Sequence, residues 1–168
     1  EALGLPEDQA RIIELAAPLH DIGKIAIPDA VLMKPGPLDD DERKRMQQHP
    51  VIGYQLLEDS HNRFIQVGAR IALHHHERYD GSGYPHGLAG EDIPIEARVV
   101  TVADIFDALI SRRPYKRAWT IEEALDDIRR QSGSILDPEC VRALMENLPR
   151  LHEICERYSH VLPQSGLR

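Results

Sequence analysis

The amino-acid sequence predicts an all-α fold, a bundle of about seven or eight helices. Three observations predict it. The alternation of apolar and polar residues that marks strands is nearly absent, and apolar residues recur at helical spacing instead. Helix-start signatures precede the periodic runs: Pro6-Glu7-Asp8, Asp39 with Glu42, Thr120 with Glu123, and Asp137-Pro138. Glycine and proline fall between those runs, at Gly23, in Pro35-Gly36-Pro37, through Gly81 to Gly87, and at Gly133.

Taken in order, Pro6-Glu7-Asp8 places proline in a first turn and acids at the positive end of the helix dipole. Ile12, Leu15, Ala16, Leu19 and Ile22 then share a stripe, so the spacing predicts a helix ended by Gly23 with His20 and Asp21 in its last turn. Residues 25–38 read as a structured loop whose Ile25, Ile27, Val31, Leu32 and Met33 call for burial. Asp39 and Glu42 form a capping box opening a helix through Gln48. Pro50 begins a further segment, with His49 at the junction. Phe64, Val67, Gly68, Ile71 and His75 predict a helix ending in His74-His75-His76-Glu77. The glycines and proline of Tyr79 to Gly87 predict a tight, specified loop, in which Asp80 can bond neighbouring backbone. Pro94 leads into a helix from Ala97 to Ile110, apolar nearly all round and interrupted by Asp104 and Asp107. A basic loop, Arg112 to Arg117, precedes the Thr120–Glu123 box and a helix to about Arg130. Asp137-Pro138 opens another with Val141, Leu144 and Leu148 inward, and residues 151–168 read as a last helix or tail.

The chain's 168 residues suffice for one domain with a real core. Hydrophobic residues make up 42% and charged residues 29%, a soluble globular balance, and no apolar run reaches the length of a membrane helix. The net charge of −8 argues against a protein that coats DNA. Cys140 and Cys155 do not form a Cys-x-x-Cys pair, which points to a reducing compartment and away from sulfur-ligated metal. The sequence opens at Glu1 without a Met and is read as part of a longer protein.

The chemically informative residues are polar groups in apolar surroundings: His20, Asp21, His49, His75, His76 and Asp104. Any one of them has a plain structural reading, since a lone histidine at a helix end is commonly a cap and a lone core aspartate a satisfied hydrogen-bonder. Four imidazoles and two carboxylates on one framework are harder to explain that way, because unpaired charge in a core costs several kcal/mol. Nitrogen with carboxylate oxygen suits first-row metals such as Fe, Mn, Zn or Ni. The number of donors exceeds the need of one ion, and Asp21 beside His20 can bridge two.

These residues are similar to a known family. His20-Asp21-Ile22-Gly23-Lys24, Lys34-Pro35-Gly36, His49-Pro50, His75-His76-Glu77, Asp80-Gly81-Ser82-Gly83-Tyr84-Pro85, Val102-Ala103-Asp104 and Arg113-Pro114-Tyr115-Lys116 together resemble the HD-GYP domain, a branch of the HD phosphohydrolases. The resemblance implies an all-helical domain of the HD type with a metal site in its core. It implies two divalent ions, Fe or Mn first and Zn, Ni or Mg as alternatives, held by His20, Asp21, His49, His75, His76 and Asp104 with Asp21 bridging. It implies hydrolysis of the bacterial messenger cyclic di-GMP to linear pGpG or GMP, with Asp21 and Lys24 catalytic and Lys24, Tyr84, Arg113 and Lys116 on the substrate. Without the family, Lys24 reads as a helix cap, Arg113 and Lys116 as a solvated basic loop, and Tyr84 as a packing residue.

Residues 1–150 are expected to be the domain and 151–168 a C-terminal helix or tail. The family carries a further ligand-bearing helix ahead of the His-Asp pair; residues 1–19 contain no His, so that helix is expected to be missing from this sequence. An upstream receiver or sensor domain, signalling-protein partners and a bacterial cytoplasmic location are expected by association. Two other readings stand beside the first: a hydrolase of another cyclic dinucleotide or nucleotide, and a non-catalytic module that responds to cyclic di-GMP.

Overall fold

Helix α1, Glu7–Ala16, runs from a Pro6 N-cap and stops earlier than the apolar spacing predicts. Pro18 explains the difference: it has no N–H to donate, and its ring clashes with the carbonyl four residues back. The chain tightens into 3₁₀ turns at Ala17–Leu19 and Ile22–Ala26, so His20 and Asp21 sit between two turns rather than in the last turn of a helix. The structure is a computed structural model, and it describes residues 2–111 and 117–159.

Eight helices of seven residues or more occur among the described residues, with one single-turn helix besides. After α1 come α2 (Asp29–Leu32), α3 (Asp40–Met46), α4 (His49–Leu57), α5 (Arg63–His74), α6 (Ile95–Ile110), α7 (Ile121–Gln131), α8 (Pro138–Met145) and α9 (Leu148–Ser159). No strand is present among the described residues; pairing is limited to isolated bridges at Asp80–Ala89 and Ser132–Leu136. Both capping boxes form: Asp39 accepts from the Asp41 and Glu42 amides, Thr120 accepts from the Glu123 amide, and both glutamates reach back. Asp137 caps α8 with Pro138 in its first turn. None of these helices is long and apolar enough to cross a membrane.

Helix α6 separates two apolar clusters. On one side Val100 packs with Ile13, Ala16, Val67 and Ile71, joining α6 to α1 and α5. On the other, Val102 and Phe106 pack with Leu125, Ile128, Leu136 and Val141. Cys140 and Cys155 are both free thiols, Cys140 buried in that second cluster. Thr101 Oγ donates at 2.9 Å to the His75 carbonyl, so α6 also holds the end of α5. Burial between residues 25 and 33 is selective. Ile27 and Val31 are buried, whereas Ile25 and Met33 are more than three-quarters exposed, because the short turns here present only one side to the core.

The turn bearing Asp21 is pressed against α4. A methyl group at Gly23 would lie 1.9 Å from the His49 carbonyl oxygen and 2.5 Å from the Gly53 nitrogen. Only glycine permits that approach, and the approach brings the His20–Asp21 pair beside the start of α4.

Candidate metal centre

Asp21, His49, His75 and His76 each offer a ligand atom within 4.8 Å of the others'. They arrive from different elements: Asp21 from the junction of the two 3₁₀ turns, His49 from the first turn of α4, and His75 and His76 from the end of α5. His20 and Asp104 adjoin the same group, with His20 Nε2 3.6 Å from Asp104 Oδ1. The structure therefore brings together the six residues that the sequence singles out as metal ligands.

Backbone bonds fix how three of the rings point. Nδ1 of His20 lies 2.8 Å from the Ala17 carbonyl, Nδ1 of His49 2.7 Å from Met46, and Nδ1 of His75 2.9 Å from Ala72. A carbonyl oxygen only accepts, so each Nδ1 carries the proton. In the neutral ring, Nε2 is then a bare lone pair facing the cluster.

The facing atoms lack donors. His49 Nε2 and His75 Nε2 are 3.4 Å apart. Asp21 Oδ1 lies 3.4 Å from the first and 3.7 Å from the second. It is buried without a hydrogen-bond partner. Three electron-rich atoms converging without a proton between them repel one another unless a cation lies among them. Their spacing is close to the edge, about 3.4 Å, of a tetrahedron with metal–ligand bonds near 2.1 Å. The group thus has the donor set and spacing of a divalent-cation site.

Asp21 has two faces. Oδ1 points at His49 and His75, and Oδ2 lies 3.3 Å from His20 Nε2 and 2.5 Å from Lys24 Nζ. Burial differs between these faces. The His49 and His75 side chains are 2% and 1% exposed, and Asp104 is 39% exposed. The inner half is closed and the outer half open to solvent, so Asp104 is not the enclosed core carboxylate that its helix position predicts.

The electrostatics follow from burial and neighbours. Burial acts to raise the Asp21 carboxyl, but the contacts of its Oδ2 side with His20 and the Lys24 ammonium outweigh it and hold the group well below the usual carboxylate range. His20 is raised, chiefly by its bond to Asp21. Burial lowers His49, and pushes His76 down to about 2. Both stay neutral near pH 7, the form in which imidazole binds metal.

Tyr84 stacks on His76, with ring centroids 4.8 Å apart at 18°. Burial pushes its phenol up to about 12. The loop carrying Tyr84 is tightly held: Asp80 accepts from the Ser82 amide, the Tyr84 amide donates to the His76 carbonyl, and the Asp80 amide donates to Ser134. Glu77 fastens the other end. Its Oε1 accepts from the His86 amide at 2.8 Å and its Oε2 from the Leu88 amide at 3.0 Å. It therefore anchors this loop and does not orient the cluster histidines, a role its sequence position also allows. Asp107, which interrupts the apolar run of α6, is exposed and accepts a hydrogen bond from Ser111 Oγ. Arg113 and Lys116 lie outside the described residues. Sequence reasoning missed His74 and His86, which gather around Glu77; the run His74 to His76 draws attention to His74, and nothing in the sequence places His86 beside it.

Comparison with known proteins agrees with this geometry. The HD domain family profile matches residues 1–140. The chain is 60% identical over 167 residues to the cyclic di-GMP phosphodiesterase response regulator RpfG of Xanthomonas campestris, covering 99% of this chain and 44% of that protein. It is 48% identical over 157 residues to a cyclic di-GMP phosphodiesterase of Thermotoga maritima, covering 94% and 43%. It is 47% identical over 144 residues to 3′3′-cGAMP-specific phosphodiesterase 2 of Vibrio cholerae, covering 86% and 28%. This chain thus spans less than half the length of these relatives. A crystal structure of the V. cholerae cyclic GMP-AMP phosphodiesterase V-cGAP3 shares the fold, with a TM-score of 0.68 at 20% identity, covering 91% of this chain and 41% of that one. The chain belongs to the HD domain family, and within it to the HD-GYP type.

Proposed function

We propose that this chain is the catalytic domain of a metal-dependent phosphodiesterase that hydrolyses cyclic di-GMP to the linear dinucleotide pGpG or on to GMP. One observation carries the reading: Asp21 turns one oxygen to His49 and His75 and the other to His20, beside Asp104. That is the arrangement required to bridge two ions. His49, His75 and His76 would hold the inner ion, His20 and Asp104 the outer, with Asp21 shared. Iron or manganese fits this nitrogen and oxygen set first, and zinc, nickel or magnesium are the alternatives. Bound divalent ions supply Lewis acidity to the phosphodiester and lower the pKa of water towards neutrality.

The chain's own residues do the rest. Lys24, beside Asp21 Oδ2, places positive charge next to the open half of the cluster, where a phosphate would arrive. Tyr84, stacked on His76, walls the substrate side. By the family resemblance Arg113 and Lys116 would contact the phosphate, the first as a bidentate partner and the second as a point charge. In the reaction one P–O bond breaks and water adds across it, leaving a terminal phosphate and a free ribose hydroxyl. The relatives' names support the substrate, and the description of RpfG as a response regulator supports an upstream receiver domain, signalling-protein partners and a bacterial cytoplasmic setting. On this reading residues 1–150 form the domain and 151–168 its C-terminal extension.

The test is chromatography of products after the metal-loaded protein meets cyclic di-GMP and, in parallel, 3′3′-cGAMP. Linear product from cyclic di-GMP supports the assignment. Preferential turnover of 3′3′-cGAMP moves it to the other cyclic dinucleotide, a substrate that relatives also carry in their names. Binding without product under iron, manganese or zinc replaces the enzyme by a responsive module.

A further inference from the structure

Outside the principal cluster, a second group of metal-binding side chains faces one buried carboxylate. Glu77 has no exposed side-chain surface. His74 Nδ1 lies 3.9 Å from its Oε1, and His86 Nδ1 lies 4.0 Å from the same oxygen. The two imidazole rings are 5.6 Å apart at 51°. Three potential ligand atoms therefore surround one point, contributed by the end of α5 and by the far side of the glycine-rich loop.

Hydrogen bonding leaves this group incomplete. His74 Nδ1 is buried and has no hydrogen-bond partner, a condition that folded proteins rarely leave uncompensated. Glu77 accepts one backbone amide on each oxygen, half of what about four carboxylate lone-pair sites can take. Direct bonds to the histidines would need the atoms roughly 1 Å closer. An ion between them needs less movement, since tetrahedral ligand atoms with bonds near 2.1 Å stand about 3.4 Å apart. His86 is half exposed, so its open side leaves room for water as a further ligand.

We propose that His74, Glu77 and His86 form a second divalent-cation site, of the zinc type, that fastens the glycine-rich loop to the end of α5. Two imidazoles and one carboxylate without sulfur are a known kind of zinc donor set. The ion adds a side-chain clasp where Glu77 already holds the loop's backbone, at His86 and Leu88. The same loop carries Tyr84 against His76, so the clasp bears on the wall of the principal centre without sharing a ligand with it.

The test compares the chelator-stripped full chain with His86→Ala after both are reloaded with zinc and desalted. His86 bonds Glu77 through its backbone amide, which the substitution keeps, and its side chain is half exposed, so the variant folds. The expected result is one zinc fewer per chain by native mass spectrometry. Zinc should also slow proteolysis of the 79–89 loop in the wild type and not in the variant. Asp21→Ala, which removes a residue of the principal cluster, should keep the zinc that His86 holds. Equal zinc content and equal loop protection in wild type and His86→Ala overturn the proposal, and so does a His86-dependent ion that disappears in a folded Asp21→Ala chain.

Discussion

Asp21 Oδ1 lies 3.4 Å from His49 Nε2, and neither atom has a proton to offer the other. The contact joins a turn near residue 21 to a helix that begins at His49, and it makes physical sense only with positive charge close by.

Replacing Asp21 by Ala removes the residue shared by both halves. Metal content should fall, and hydrolysis of cyclic di-GMP should drop by more than about 100-fold, beyond what loss of a mere supporting contact causes. Elemental analysis of the purified variant beside product chromatography checks this. Full metal occupancy would remove the bridging role.

Gly23→Ala tests the backbone contact. The added methyl would meet main-chain atoms of His49 and Gly53, which cannot rotate away. The expected destabilisation is about 1–3 kcal/mol, read as a lower denaturant midpoint with an unchanged slope.

The metal-free chain should lose stability in acid. Burial pushes His76 down to about 2 and also lowers His49, from an ordinary value of 6.5. Below pH 6.5 the unfolded chain takes up protons that the folded one refuses, so the stability present above that pH is lost as pH falls towards 2. His20 is raised and works in the opposite sense: its contribution is full below pH 6.5 and fades as pH rises through its folded value. Denaturant melts of the apo protein from pH 8 to 4 should therefore show a net decline on the acid side. Ion binding should weaken as pH falls, because ligation takes the neutral imidazole and the raised His20 favours its proton, and titration calorimetry across that range checks this.

Tyr84→Phe keeps the ring stacked on His76 and should leave activity near wild type. Tyr84→Ala removes the stack, and a loss of about 2- to 13-fold in kcat/KM is expected from a ring contact of about 0.5–1.5 kcal/mol. Steady-state kinetics with both variants separates the ring from the hydroxyl.

Much of this architecture is legible in the sequence because its signals are local. The Asp39–Glu42 and Thr120–Glu123 boxes and the Asp137-Pro138 start each satisfy free amides within one turn, and each forms as its residues predict. The end of α1 misleads, because the apolar spacing runs on through Pro18 while the backbone cannot. Ile25 and Met33 mislead for another reason: hydrophobicity does not say which side of a short turn meets the core. Convergence of the six chosen residues follows from residue type and motif, but their division into a closed and an open half depends on packing across distant segments. So does the gathering of His74 and His86 on Glu77, which no spacing announces.

The carbonyls of Ala17, Met46 and Ala72 each hold a ring three residues ahead. An imidazole that must be immobilised on binding loses conformational freedom, a cost on the order of 1 kcal/mol. Here that ordering is complete once the backbone has folded. On the proposed reading, little of an ion's binding free energy would go into ordering these rings, because the backbone sets the cage before the ion arrives.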